Sequence, residues 1–409
     1  MDGQLSVFEL RLDLIQTLAV ACVVYYSGIF IRRKISVLDR LNIPSAVIGG
    51  LLFASMIVIA HNRWFNVKFD TTAQPLFMIL FFTTIGMNAS LPLLRKGGMQ
   101  MVVFLLISTV FCLVQNFLGM GVAMTFGAHP LLGVIAGSVT LVGGPATGLA
   151  FASLFEQAGV AGAGTIAITA ATFGIVCGGI IGGPVGTSLI RKHNLRSALV
   201  NDRQEAEHEL HPAEQTVRVS VEREDSNLVM SIIVAGAAMG LGSILSYYFQ
   251  SLGWTLPAYI GAMLVASLFR NIEETKGWFR IDNAVMELIG GIALNIFLVV
   301  ALMDLKLWEL FHLAGPLAVI LIAQTVVVVI FSYAACYRIM GKDYESAVMT
   351  SGFIGFVLGT TANAVANMKT LVGKYGPAPH AFLIVPTVGA FFIDFTNAII
   401  ITIFLNWLR

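Results

Sequence analysis

The chain has 409 residues, 57% hydrophobic and 11% charged, with a net charge of +1 and a mean hydropathy of +0.84. Soluble domains carry about 25% charged residues, so this composition excludes a water-soluble protein, and the near-neutral balance gives no support for a nucleic-acid partner. Four cysteines far apart in apolar runs, without CxxC or His-rich spacing, argue against a zinc or redox centre.

Apolar runs long enough to cross a bilayer, about 18 residues or more, recur along nearly the whole chain, which predicts an all-α polytopic membrane protein. The opening MDGQLSVFELRLDL is acidic and lacks the basic start of a cleavable signal, so the first span is expected to direct insertion. That span, about Leu14–Ile31, is followed by Arg32, Arg33, Lys34 and Arg40. Basic loops stay in the cytoplasm, which puts the N-terminus outside. Further spans are expected at about Pro44–Ala60, Leu76–Leu94 and Met101–Phe126, with His61–Ala73 as an interfacial segment. The stretch 131–157 then begins and ends on the outer side, because the next span, about Thr165–Ile190, exits to a basic cytoplasmic turn at Arg191–Lys192–His193. The charge pattern therefore predicts a re-entrant hairpin folded at Gly143–Gly144–Pro145.

Residues 191–227 form the one long polar stretch, read as a cytoplasmic linker that is partly helical at Gln204–Glu209. After it the plan repeats: spans at about Leu228–Phe249, Leu256–Phe269, Ala284–Met303 and Pro316–Tyr337, a second hairpin over about 347–370, and a last span at about Ala381–Leu405 that leaves the C-terminus outside. Of the 24 lysines and arginines only Arg11, Arg63, Lys68, Lys306 and Arg409 fall outside on this reading. The halves, 1–190 and 228–409, start on opposite sides, and short echoes recur in the same order. Ile43-Pro44…Ile48-Gly49 echoes Leu256-Pro257…Ile260-Gly261, and Val142-Gly143-Gly144…Thr147 echoes Leu358-Gly359-Thr360…Asn363. Two inverted-topology repeats, each of five spans and one hairpin, are a transporter signature.

The stretch Ser351–Met368 concentrates the chemistry. Gly352, Gly355 and Gly359 punctuate it before Thr360, Thr361, Asn363 and Asn367. Broken backbone at membrane depth must be buried in protein or line a wet cavity, and in transporters it marks the cargo site; close packing of small residues between helices is the plainer account. No lysine or arginine lies at membrane depth, so an anionic cargo needs uncharged donors. Helix N-termini at the hairpin tips supply them, with Thr140, Gly143, Gly144, Thr147, Thr360, Thr361 and Asn363 as candidate substrate contacts. Asp394, the acidic residue read near a bilayer centre, is a candidate Na⁺ ligand, ammonium partner or proton carrier, and Asn397 shares its helical face. Structural pairing with a neighbouring helix is the alternative for both. Gly359, Asn367, Asp394 and Asn88 are the candidate Na⁺ ligands. Asn88, Gln115 and Gln324 read more readily as helix–helix hydrogen bonds, and Asp304 and Glu287 as interfacial residues.

These motifs resemble the bacterial sodium/glutamate symporter family. The matching stretches include Thr84-Ile85-Gly86…Asn88-Ala89, Gly137-Ser138…Thr140-Leu141…Gly143-Gly144…Thr147-Gly148, Ala171-Thr172-Phe173-Gly174, Leu305-Lys306-Leu307-Trp308-Glu309-Leu310, Ala366-Asn367-Met368 and Val388-Gly389-Ala390-Phe391-Phe392-Ile393-Asp394…Asn397-Ala398. The resemblance implies a homodimer in the bacterial cytoplasmic (inner) membrane. It also implies Na⁺ as coupling ion without an organic cofactor, uptake of L-glutamate or a related small carboxylate, an elevator-like movement, and hairpins that meet at the substrate. Two positions depart from the family pattern: Pro145 stands where the family commonly has His, and Asn363 where it has Thr. A proton-coupled carrier of another organic anion using Asp394 remains the alternative. An intramembrane protease lacks a second aspartate or a Ser/His pair, and a channel lacks charged rings.

Overall fold

A computed structural model describes residues 8–60, 65–197, 221–251, 257–278, 281–307 and 313–408. Most of the central linker, with the helix expected at Gln204–Glu209, lies outside the described residues, as does the Trp308-Glu309-Leu310 motif.

The chain opens with a short strand, β1 (Phe8–Leu12), and α1 (Leu14–Lys34). Asp13 and Gln16 form a reciprocal capping box at the start of α1, and Arg32, Arg33 and Lys34 oppose its negative dipole end. There follow α2 (Ser36–Arg40), α3 (Ser45–Ala60), β2 (Phe65–Phe69), α4 (Gln74–Met87), α5 (Leu91–Lys96) and α6 (Gly98–Thr125). Next come α7 (Pro130–Val139), α8 (Gly144–Gln157) and α9 (Ala163–Lys192). The second half holds α10 (Val221–Ser251), α11 (Ala258–Lys276), α12 (Asn283–Met303), α13 (Ala314–Met340), α14 (Tyr344–Leu358), α15 (Thr361–Tyr375) and α16 (Pro379–Leu408). Among the described residues, seven helices are long and apolar enough to cross a membrane. Their outer faces expose residues such as Ile180, Ile244 and Ile403, as contact with hydrocarbon requires.

Two features differ from the sequence reading. The helices are joined by a small sheet, in which β1 and β2 pair in parallel with Leu10 opposite Val67. The strands are too short to stand out beside the spans. The expected span Leu76–Leu94 is instead split at Asn88–Ser90, where Asn271 of α11 donates to the Ala89 carbonyl and accepts from the Leu91 N–H. This interhelical clamp replaces the lost helical bonds.

The helices sort by packing into two groups. One contains α1, α3, α4, α10, α11 and α12; the other contains α6 to α9 and α13 to α16. Each half of the chain thus gives its first three long helices to one group and its last elements to the other. The groups meet chiefly where α8 lies on α12 and α4 reaches the middle of α16. Phe151 of α8 contacts Tyr259 of α11 edge-on across this seam, and Tyr259 stacks on Phe82 of α4. Within the second group the halves interlock: α9 packs on α14 and α15, and α16 packs on α7.

Candidate functional site

Two helix breaks carry the site. The first ends α7, which widens over Ile135–Val139 and leaves helical geometry at Gly137 (φ −103°, ψ −130°). The Thr140 hydroxyl turns back to donate to the Ile135 carbonyl at 2.6 Å. Leu141–Gly143 follows, and α8 starts at Gly144, whose φ of +66° a side chain would oppose. Thr147 is buried against Gly143 in the first turn of α8. The second break follows α14: Gly359 departs from helical geometry (φ −141°, ψ −102°), and Thr360 caps α15, its hydroxyl accepting from the Asn363 N–H at 3.4 Å.

The two breaks touch. A Cβ built on Gly144 would lie 3.9 Å from the Gly359 carbonyl oxygen and 4.0 Å from Thr360 Cγ2. The N-termini of α8 and α15 therefore converge, and each carries unpaired N–H groups and a partial positive charge. Pro145 and Asn363 lie in these opening turns, so both departures from the family pattern fall at the junction.

Helices α9 and α16 hold the breaks from either side. A Cβ on Gly174 of α9 would fall 2.1 Å from the Leu358 oxygen and 2.7 Å from Leu141 Cδ2, so α9 passes directly beneath both breaks. Asn363 and Asn367, one turn apart on α15, donate to the Ile175 and Gly178 carbonyls of α9 at 2.6 and 2.9 Å. Ser351 of α14 donates to the Gly182 carbonyl at 2.8 Å. From α16, Gly389 accepts from the Thr361 hydroxyl at 2.9 Å, and Asn397 donates to the Ser138 carbonyl of α7 at 2.9 Å. Asn116 of α6 accepts from the Ser138 N–H at 3.0 Å, so the backbone freed at Gly137 is partnered by side chains on both faces.

These bonds leave oxygen atoms uncommitted. Asn363 Oδ1, Asn397 Oδ1, Ser138 Oγ and Thr172 Oγ1 are buried without a hydrogen-bond partner among the described residues. Buried polar atoms in that state cost about 1–3 kcal/mol each and are suited to receive cargo. Their chemistry is that of hard, neutral oxygen ligands, which fits an alkali cation. Among the described residues there is no group of three or more His, Cys, Asp or Glu that could hold a metal ion.

Not every candidate joins this cluster. Asp394 sits on α16 near Asn397, but it makes no hydrogen bond or ion pair among the described residues. It is within electrostatic reach of Cys112 on α6 and Tyr259 on α11, which places it toward the seam between the groups. Asn88 belongs to the other group, at the end of α4 beside the Asn271 clamp, and the structure does not bring it to the breaks. Asn116, Ser138, Thr172 and Ser351 were not singled out as site residues from sequence. Gln115 and Gln324, read as helix–helix bonds, are that: Gln324 donates to the Gln115 carbonyl and Gln115 to the Val357 carbonyl, just before the second break.

Comparison with known proteins bears on what such a junction carries. The profile of the sodium/glutamate symporter family matches residues 10–377. A protein of Haemophilus influenzae named sodium/glutamate symporter is 38% identical over 395 residues, covering 95% of this chain and 96% of that protein. A protein of Escherichia coli with the same name is 36% identical over 404 residues, covering 97% and 98% respectively.

Proposed function

Because the chain belongs to the sodium/glutamate symporter family, we propose that it is a secondary transporter that couples uptake of L-glutamate to inward movement of Na⁺. The observation that carries this reading is the meeting of two helix breaks around buried, uncommitted oxygens. The converging N-termini of α8 and α15 offer backbone N–H groups to the substrate's carboxylates. Thr360 and Thr361 add hydroxyls, and Gly143, Gly144 and Thr147 shape the opposite wall. The Asn363 and Asn397 side-chain oxygens, Ser138, and carbonyls near Gly359 offer oxygen to Na⁺, with Asn367 holding α15 in place.

The finer architecture belongs to the same proposal. The α7–α8 and α14–α15 units are two re-entrant hairpins, entering from opposite faces in two inverted repeats. The repeated element order and the interlocking of the halves support this. The group holding the breaks is the moving part of an elevator, and the other group is a static scaffold through which a homodimer forms. The protein lies in the bacterial cytoplasmic membrane, with both termini external and the central linker cytoplasmic, and uses no organic cofactor. A proton-coupled alternative rests on Asp394, whose carboxyl group lies near the seam and makes no hydrogen bond among the described residues.

Uptake of radiolabelled L-glutamate into proteoliposomes under an imposed Na⁺ gradient or an imposed H⁺ gradient tests the proposal. Accumulation driven by Na⁺ alone is the expected result. Accumulation driven by H⁺ alone moves the coupling to Asp394, and failure to accumulate glutamate in folded protein assigns Pro145 and Asn363 to a different cargo.

A further inference from the structure

A cavity of about 430 Å³ opens on the flank of α8 away from the breaks. Its size is that of small-molecule sites, about 300–1,000 Å³. The buried Leu149 and Ala150 are part of its lining, five and six residues beyond Gly144 and so about 8 Å along the helix from the junction. Its polar lining bears both charges: Gln74, Asp304 and Lys306 come from α4 and the segment leaving α12, Ser153 and Glu156 from α8, and the buried Thr165 from α9; Ser153, Glu156, Asp304 and Lys306 are exposed. The wall thus draws on both helix groups, and the Thr165 hydroxyl donates to the Lys306 carbonyl at 3.4 Å across the seam. Asp304 and Lys306 are within electrostatic reach of one another.

We propose that this cavity is an outer antechamber that takes up a free α-amino acid before it reaches the breaks, Lys306 engaging the carboxylate and Asp304 with Glu156 the ammonium. The inference rests on the function proposed above and adds to it a second, weaker substrate site. Acids and a base together match the zwitterionic end of an amino acid, whereas the junction itself, with N–H groups and neutral oxygens, matches carboxylates and Na⁺. The antechamber therefore selects amino acids over plain dicarboxylates of the same length. Because its wall spans both groups, sliding one group past the other dismantles it behind the substrate.

Kinetics and labelling test the site together. Asp304→Asn is expected to raise the KM for glutamate about three- to tenfold with Vmax retained, as for a partly solvated charge contact. Inhibition by glutarate, which lacks the ammonium, is expected to be undiminished. Lys306→Ala is expected to weaken both, and less so when choline chloride is added at constant Na⁺, because salt screens exposed charges. Ser153→Cys in right-side-out vesicles is expected to react with a membrane-impermeant thiol reagent above the wild-type background, and glutamate at ten times its KM is expected to slow that reaction. Unchanged KM in both charge variants, or an introduced thiol that is unreactive or unprotected, overturns the antechamber. Wild-type protein that takes up no glutamate overturns the proposed function instead; the labelling is then read with a panel of amino acids, and protection by none of them overturns the cavity as well.

Discussion

Gly174→Ala puts the geometry of the junction to a direct test. The added Cβ would lie 2.1 Å from the Leu358 oxygen and 2.7 Å from Leu141 Cδ2. A normal carbon–oxygen contact is about 3.3 Å or more, so the Leu358 carbonyl must retreat by roughly 1 Å. Overpacking of this kind costs about 1–3 kcal/mol of stability. The larger effect is on binding, because Leu358 and Leu141 each lead directly into a break. Moving them spoils at least one charge-assisted bond to the substrate, worth about 1.5–3 kcal/mol, or a loss of affinity of about 10- to 150-fold. The assay is the initial rate of Na⁺-driven glutamate uptake at matched amounts of folded protein, with melting followed by detergent gel filtration. Gly183→Ala on the same helix is the control, since a Cβ there meets nothing within 4 Å; it should retain uptake. A Gly174→Ala protein with wild-type KM and rate would refute the placement of α9 beneath the breaks.

Four other variants, three single and one double, probe separate parts of the structure. Asn397→Ala removes an uncommitted oxygen and the donor to the Ser138 carbonyl, and should raise half-saturation by Na⁺ about tenfold; an unchanged Na⁺ dependence removes Asn397 from the ion site. Asn363→Ala removes the side-chain donor to the Ile175 carbonyl and should cost about 0.5–1.5 kcal/mol of stability, together with glutamate affinity; thermal melting and uptake read the two effects. Pro145→Ala returns a free N–H to the opening of α8, so the KM for glutamate should fall about threefold, as one modest hydrogen bond allows, and a rise would contradict the helix-terminus account. Cysteines at Phe151 and Tyr259, whose rings lie 6.1 Å apart, join α8 to α11 across the seam. A reducible bifunctional thiol reagent should arrest uptake in the double variant and reduction should restore it, whereas unimpaired uptake by fully linked protein rules out relative movement at that point.

The sequence carried much of this architecture openly and hid the rest for identifiable reasons. Glycines interleaved with Thr within an apolar run, joined by Asn at the second, mark the breaks, because lipid does not tolerate unpaired backbone and so few other meanings are available. The four-residue spacing of Asn363 and Asn367 likewise shows a shared face. What those asparagines bind was not legible, since Ile175 and Gly178 present only backbone carbonyls and lie 188 and 189 residues away. Asn116 and Ser138 look like ordinary polar residues of packed helices until the loss of helical geometry at Gly137 joins them. The position of Asn88 was equally hidden: its motif resembles the family's, and only the packing of α4 shows that it lies in the other helix group. The small parallel sheet escaped notice because its two strands, 53 residues apart at Leu12 and Phe65, need each other to be recognised.

The interlocking of the halves has a consequence for biosynthesis. Asn397, which donates to the Ser138 carbonyl of α7, lies 259 residues later in the chain. At about 5–20 residues per second on the ribosome, that interval is roughly 13–50 seconds. Throughout it the α7–α8 unit lacks its contacts with α16, and the packing of the two halves on one another is complete only once the final helix has emerged.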